Sequence, residues 1–265
     1  MDDRVRVEIS DGVADVRLMR ADKHNGLDHR MFEAIIGTGK QLATDRSLRA
    51  VVLSGEGPSF CSGLDFMSFM KQGMNIESML QREQGAIANF VQQTAWVWVE
   101  LPVPVIAALH GYVYGGGLQI ALGADIRYVT ADARLSVREI QWGLVPDMSG
   151  TQTLRHLVRL DVAKELAFTG RTVSGTEAVS LGLATRVEDD PRAAALRSAR
   201  EIAARSPDAI RADKRLFNEA FTGSTEAGLL LEETIQRAVM SQPNQREAVM
   251  ASMAKRDPNF QDPPE

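Results

Sequence analysis

The chain has 265 residues, is 44% hydrophobic and 25% charged, and carries a formal net charge of −5, the balance of an ordinary soluble protein long enough to bury a substantial core. That acidity disfavours nucleic acid as a partner, because such a surface repels phosphates unless basic residues gather on one face; a small anionic ligand stays compatible. One cysteine, Cys61, excludes an intrachain disulfide and most metal frameworks. The start MDDRVRVEIS lacks a secretion signal, the end QDPPE is no targeting motif, and no run reaches the roughly 18 apolar residues of a membrane span, so a soluble cytoplasmic protein is expected.

The stretch VRVEISDGVADVRLMR alternates apolar and polar residues on both sides of Asp11-Gly12, which predicts a β-hairpin. From Asp28, a natural N-cap, MFEAIIGTGKQLATD takes helical spacing to about Asp45. AVVLSGEG reads as a short buried strand that runs into a glycine-punctuated loop. Residues 76–100, with Trp96 and Trp98, form one long amphipathic stretch, and PVPVIAALHGYVY is a β-prone run closing on Gly115-Gly116-Gly117.

After the glycines come a short helix (LQIALGA), strands around DIRYVT and ARLSV, a helix from about Gly150 to Phe168, and a small unit, TEAVSLGLATRVED. This alternation makes residues 1–190 one α/β layered domain. Residues 191–265 carry helical signals alone: AALRSAREIAARS, PDAIRADKRLFNEAF, TEAGLLLEETIQRAVMS and NQREAVMASMAKR. Several of these helices have apolar faces too wide for one helical hairpin to bury, which calls for packing on the core domain or on another subunit.

Three stretches carry chemistry. In GYVYGGGLQI, adjacent glycines before a helix start let peptide N–H groups point at a partially negative atom, with the helix dipole behind them. The alternative is close helix–strand packing through small residues. The segment has no Lys-Ser/Thr of a P-loop, and no GxGxxG follows a strand. A second loop, GEGPSFCSGLD at 55–65, also follows a strand. Two such loops can give one N–H each to a single oxygen, the arrangement that stabilises an enolate or tetrahedral oxyanion, where one donor is worth about 100- to 1000-fold in rate. Cys61 and Ser62 sit in no GxSxG and beside no histidine in sequence, which argues against either as a nucleophile.

The third stretch, SVREIQWGLVPDMSGTQTL at 136–154, holds Glu139 after an apolar-alternating strand and Asp147 beyond a loop with Gly143 and Pro146. Two carboxylates bracketing a rigid apolar turn can face one cavity, one removing a proton and the other returning it. The alternative is an exposed loop acid and a cap, Asp147 serving the helix that begins near Gly150.

Taken together, GPSFCSGLD, AALHGYVYGGGLQIALGADIRYVTADARLSVREI and GLVPDMSGTQTLRHLV resemble the crotonase family, the enoyl-CoA hydratase/isomerase superfamily. The likeness runs in order from about residue 5 to residue 255 and includes KHNGLD and SPDAIRADKRLF. The resemblance implies an α/β fold of repeated ββα units with a C-terminal helical trimerisation region, a homotrimer or hexamer (dimer of trimers), and an acyl-CoA substrate with no other cofactor. It places the oxyanion hole at the N–H groups of Leu64 and Gly116. For the CoA moiety the candidates are Arg20, Lys23, His24, Leu64 and Asp65, with Lys255 and Arg256 as further contributors and solvated surface charge as the alternative for the basic residues; Met67, Met70, Met74 and Met79 form a flexible apolar patch, either for the acyl group or as ordinary core packing.

The acid/base positions separate the activities within that family. Hydratases resemble one another in carrying two glutamates, one two residues after the triple glycine and one at Glu139. Here the first position is Gln119, an amide that holds water but exchanges no proton. The Δ3,5-Δ2,4-dienoyl-CoA isomerases are similar to this chain in pairing a glutamate at Glu139 with an aspartate at Asp147, but have an aspartate at the place of Gln119. Gln119 can still donate to Glu139 and favour its ionised form. The resemblance thus implies isomerisation of a dienoyl-CoA by Glu139 and Asp147. Hydration of a 2-enoyl-CoA, and a catalytically weak CoA-binding or scaffold protein, are the alternatives. The 4-chlorobenzoyl-CoA dehalogenases differ in having tryptophan where this chain has Glu139.

Overall fold

The structure, a computed structural model, describes residues 3–72 and 76–263. The chain opens on the hairpin β1 (Val5–Ser10) and β2 (Val13–Leu18), turned by Asp11 and Gly12 at φ 52° and 73°, the left-handed pair that suits the twist of a two-residue hairpin. β1 is an exposed edge and β2 is buried. A 3-10 turn (Ala21–Lys23) leads to α1 (His29–Ala43), whose first turn is capped by the Asp28 carboxylate accepting from Met31 N–H. β3 (Ala50–Gly55), α2 (Phe66–Gln72), α3 (Ile76–Leu80) and α4 (Phe90–Glu100) follow.

The single amphipathic stretch expected over 76–100 is therefore broken. Asn89 and Gln92 cap each other's backbone N–H reciprocally, a box that starts a new helix and leaves 81–89 outside any helix. Met79 is buried while Met67 and Met70 face solvent; Met74 lies outside the described residues.

Next come β4 (Val105–Leu109), β5 (Tyr112–Tyr114), α5 (Gly116–Leu122), β6 (Ile126–Val129), β7 (Arg134–Ser136), a 3-10 turn (Glu139–Trp142), α6 (Gly150–Leu157), α7 (Leu160–Thr169), β8 (Val173–Ser174), α8 (Gly175–Leu181) and β9 (Arg186–Val187). Strands form a six-stranded sheet in the order β1-β2-β3-β4-β6-β9, parallel beyond the opening hairpin, and a small sheet β5-β7-β8. The run 102–114 is thus two strands in two sheets. Gly111 makes the corner at φ 56°, where any side chain would collide with the Pro58 carbonyl. The helix expected over 150–168 is also two, because Val158 and Arg159 are extended. β4, β5 and α5, then β6, β7 and α6, are successive ββα units.

The C-terminal helices are α9 (Pro191–Ala203), α10 (Pro207–Ala220), α11 (Thr225–Val239) and α12 (Pro243–Ala254). α9 lies on the large sheet, its Ala194, Ala195 and Ala199 packed with Val52, Ile106 and Tyr128. α10 is pinned by Lys214, whose buried ammonium donates to the Trp98 and Val103 carbonyls and to Asp125. Among the described residues no helix is long and apolar enough to cross a membrane.

Candidate active site

The two glycine loops meet. Cys61 and Val113 pair as a parallel bridge, with Cys61 N–H donating to Tyr112 O and Tyr114 N–H to Cys61 O. A Cβ on Gly63, which has φ 87°, would lie 2.8 Å from Tyr114 O and 3.6 Å from Gly116 N. Gly115 turns β5 into α5 at φ 51° and ψ −121°, a conformation closed to other residues, and its N–H donates to Ser136 O. Among the described residues, neither Leu64 N–H nor Gly116 N–H finds an acceptor. Close packing holds as well: a side chain on Gly117 would collide with the Cys61 carbonyl, and one on Gly116 would lie 2.6 Å from Met148 Sδ. The same bareness that lets the loops touch leaves two N–H groups free.

The acids converge on this spot. Glu139 opens its 3-10 turn just beyond β7 and is 9% exposed. Its Oε1 lies 3.4 Å from the point a Gly115 Cβ would occupy and accepts from Gln119 Nε2 at 2.6 Å, while its buried Oε2 has no partner. Burial above all, and then the charge of Asp147, push Glu139 above the usual carboxylate range, against the pull of the Gln119 hydrogen bond and local N–H groups. Asp147 stands exposed at the rim, and the protein atoms crowding it raise its carboxyl too. It is no helix cap: Ser149 holds the N-cap position of α6, and no side chain caps the helix there.

The expected CoA contacts divide. Arg20 and Asp65 are spent on each other: Arg20 Nη2 donates to Asp65 Oδ2 at 2.7 Å and Nη1 to Gly26 O at 2.8 Å, and Arg20 is 9% exposed. A guanidinium so enclosed props the loop. Asn25 completes that prop, donating to Glu56 O and Ser59 O while accepting from Arg20 N–H. Lys23 is exposed, and His24 borders an open cleft with Ser62, Tyr112, Tyr114, Arg134 and Arg138. Of the C-terminal candidates, Arg256 is paired with Glu247.

Cys61 is no nucleophile: it is buried, donates to Asn25 O, and burial pushes its thiol up to about 12. His110 bonds Gly57 O, as a satisfied histidine at a strand end does. Two features escaped the sequence reading. Arg138 lies 4.3 Å over the Tyr114 ring, signalled only by a cation beside Glu139, and Phe66 packs against Trp142 with the rings tilted by 36° and 4.4 Å between their centres. Phe66 is two residues past Leu64 and Trp142 three past Glu139, so this aromatic pair stands beside the site.

Known proteins share the sequence pattern and the fold of this chain. The family model for enoyl-CoA hydratase/isomerase matches residues 8–263. The mitochondrial methylglutaconyl-CoA hydratase of Mus musculus is 29% identical over 98% of this chain and 84% of its own length. The mitochondrial Delta(3,5)-Delta(2,4)-dienoyl-CoA isomerase of the same organism is 30% identical over 92% of this chain and 77% of its own length. The crystal structure of an enoyl-CoA hydratase from Bacillus anthracis superposes with a TM-score of 0.88 at 29% identity, covering 97% of this chain and 98% of that one. With the family model matched over residues 8–263 and the fold shared along almost its whole length, this chain is an enzyme of the enoyl-CoA hydratase/isomerase family, the crotonase superfamily.

Proposed function

We propose that this enzyme isomerises a dienoyl-CoA. One carboxylate of the Glu139–Asp147 pair removes a proton from the carbon beside the thioester. The electron pair moves onto the thioester oxygen, held by Leu64 and Gly116 N–H, and a proton returns further along the conjugated chain, so the product has the same composition as the substrate. CoA enters as part of the substrate and the site needs no other cofactor. The observation that carries this reading is the pair itself: buried Glu139 lies within reach of the charge of Asp147 at the rim, and the carboxyls of both are raised above the usual range by the protein around them, as suits groups that exchange protons.

Hydration of a 2-enoyl-CoA is the second reading, favoured by the hydratases among the relatives. Turnover of 3,5-dienoyl-CoA and 2-enoyl-CoA by the wild type, Glu139→Gln and Asp147→Asn separates the two. Isomerisation lost in both variants supports the proton shuttle. Hydration that survives Asp147→Asn and fails in Glu139→Gln overturns it.

The working form we propose is a cytoplasmic homotrimer or dimer of trimers. Phe217 and Phe221 of α10 and Leu229 and Leu230 of α11 are each more than 60% exposed in the single chain, apolar area that another subunit would cover. A monomer in light scattering at micromolar concentration would refute this assembly.

A further inference from the structure

Gln119 is 2% exposed and makes three hydrogen bonds with its side chain. Nε2 donates to Glu139 Oε1 at 2.6 Å, and Oε1 accepts from Met148 N–H and from Gly150 N–H, both at 2.9 Å. The partners fix which end of the amide is which, since only an oxygen can accept from two backbone N–H groups. Met148 and Gly150 belong to the turn that carries Asp147. Ser149 between them takes φ 67° and ψ 6°, a left-handed kink that brings the two flanking N–H groups onto one acceptor. Gly150 has no side chain to give: a Cβ there would lie 2.6 Å from Gln119 Oε1.

We infer that Gln119 is a positioning residue that sets the outcome of the reaction: its amide ties the Glu139 carboxylate to the Asp147 turn and puts a group that cannot exchange protons in hydrogen-bond contact with Glu139, so that Asp147 is left as its only proton-transfer partner. This rests on the reading of Glu139 and Asp147 as the proton-transfer pair. Both acceptor directions of the amide oxygen are filled from the backbone, so that oxygen has no capacity left to hold a reacting water. A glutamate in place of Gln119 could accept the same two N–H groups, but its other oxygen would then face Glu139 Oε1 across 2.6 Å. Two carboxylates at that distance share one proton, and Glu139 would cease to be an independent base. The titratable group bonded to the amide is Glu139 from the 3-10 turn, and the Asp147 charge from the turn before α6 bears on Glu139.

The test follows Glu139 directly, by carbon-13 NMR of glutamate-labelled protein with Glu139→Gln to assign the signal. Alongside, it measures exchange of the α-protons of an acyl-CoA with D2O and the ratio of isomerised to hydrated product. In Gln119→Met the Glu139 midpoint should move up by about one pH unit or more, because a charge-assisted hydrogen bond to the ionised form is gone. Exchange should fall about 10- to 100-fold, expressed in kcat with KM little changed. In Gln119→Glu the ratio of isomerised to hydrated product should drop, with isomerisation recovering toward acid pH, where the introduced carboxyl, once protonated, has the donor and acceptor pattern of the amide.

An unmoved Glu139 midpoint in folded Gln119→Met, or an unchanged product ratio in Gln119→Glu, overturns the inference. If Gln119→Met does not fold, Gly150→Ala displaces the same amide by its Cβ and the midpoint is read there. Should the wild type turn over neither substrate, the isomerase reading fails by itself, while the Glu139 midpoint still decides whether Gln119 holds that carboxylate.

Discussion

Gly63 and Gly116 meet backbone to backbone, so close that a Cβ on the first would stand 3.6 Å from the nitrogen of the second. Gly63 also needs φ 87°. Gly63→Ala therefore strains its own backbone and pushes the Leu64 and Gly116 donors apart. We expect kcat/KM to fall about 100- to 1000-fold and stability by about 1–3 kcal/mol. Denaturant melts beside steady-state rates would expose a mistake, since full activity in the folded variant contradicts the role given to these donors.

The raised carboxyls at Glu139 and Asp147 have a stability consequence of definite sign. A carboxyl whose folded value is raised binds more protons in the native state than in the unfolded one, so stability falls as pH climbs from the ordinary carboxylate range through the raised value. Ionising the pair in the folded state is therefore a cost. Glu139→Gln should lose turnover and melt above wild type at pH 7, with the gap closing near pH 4. Calorimetry at the two pH values checks this, and a lower melting temperature at pH 7 would count against it.

Lys214 on α10 holds three acceptors, the Trp98 and Val103 carbonyls at 3.0 Å and Asp125 Oδ2 at 2.9 Å. Lys214→Met keeps the stem and removes the ammonium, which leaves the two carbonyls without this donor and the Asp125 carboxylate, among the described residues, with the Val105 N–H alone. The expected loss is about 3–5 kcal/mol, measurable by urea unfolding, and a change below about 1 kcal/mol would mean that the pair behaves as a surface salt bridge.

Trp142 is 60% exposed, whereas Trp98 is fully buried and Trp96 half-buried. Iodide should quench Trp142 first, and an unreactive acyl-CoA analogue should protect it if the Phe66–Trp142 pair flanks the acyl group. Quenching indifferent to the analogue would place the acyl chain elsewhere.

Much of this was legible from residue types alone. Asp11-Gly12 announces the hairpin because few other pairs tolerate two left-handed residues, and Asp28 announces α1 because its carboxylate meets an orphan N–H. The break at 81–89 was not, since apolar periodicity continues across it and the decision rests on the Asn89–Gln92 box. The two-sheet split at Gly111 is a tertiary matter, set by the Pro58 carbonyl from a distant loop. At the site, the acids and glycines were readable, but the engagement of Arg20 with Asp65 was not. A cation near a predicted phosphate contact looks the same in sequence whether it meets ligand or carboxylate. Gln119 stood out as a departure; that its oxygen gathers two N–H groups from the Asp147 turn depends on the left-handed Ser149.

The oxyanion donors are main-chain N–H groups and the proton carriers are side chains, and these two halves respond differently to mutation. No ordinary codon change deletes an N–H; short of proline, substitution can only shift the loops that present it. The residues at 119, 139 and 147 are each open to replacement one base change at a time. A lineage built on this fold can therefore keep its charge-stabilising half for long periods while exchanging its acids, so that new reactions arise by swapping carboxylates and amides around an inherited backbone cradle.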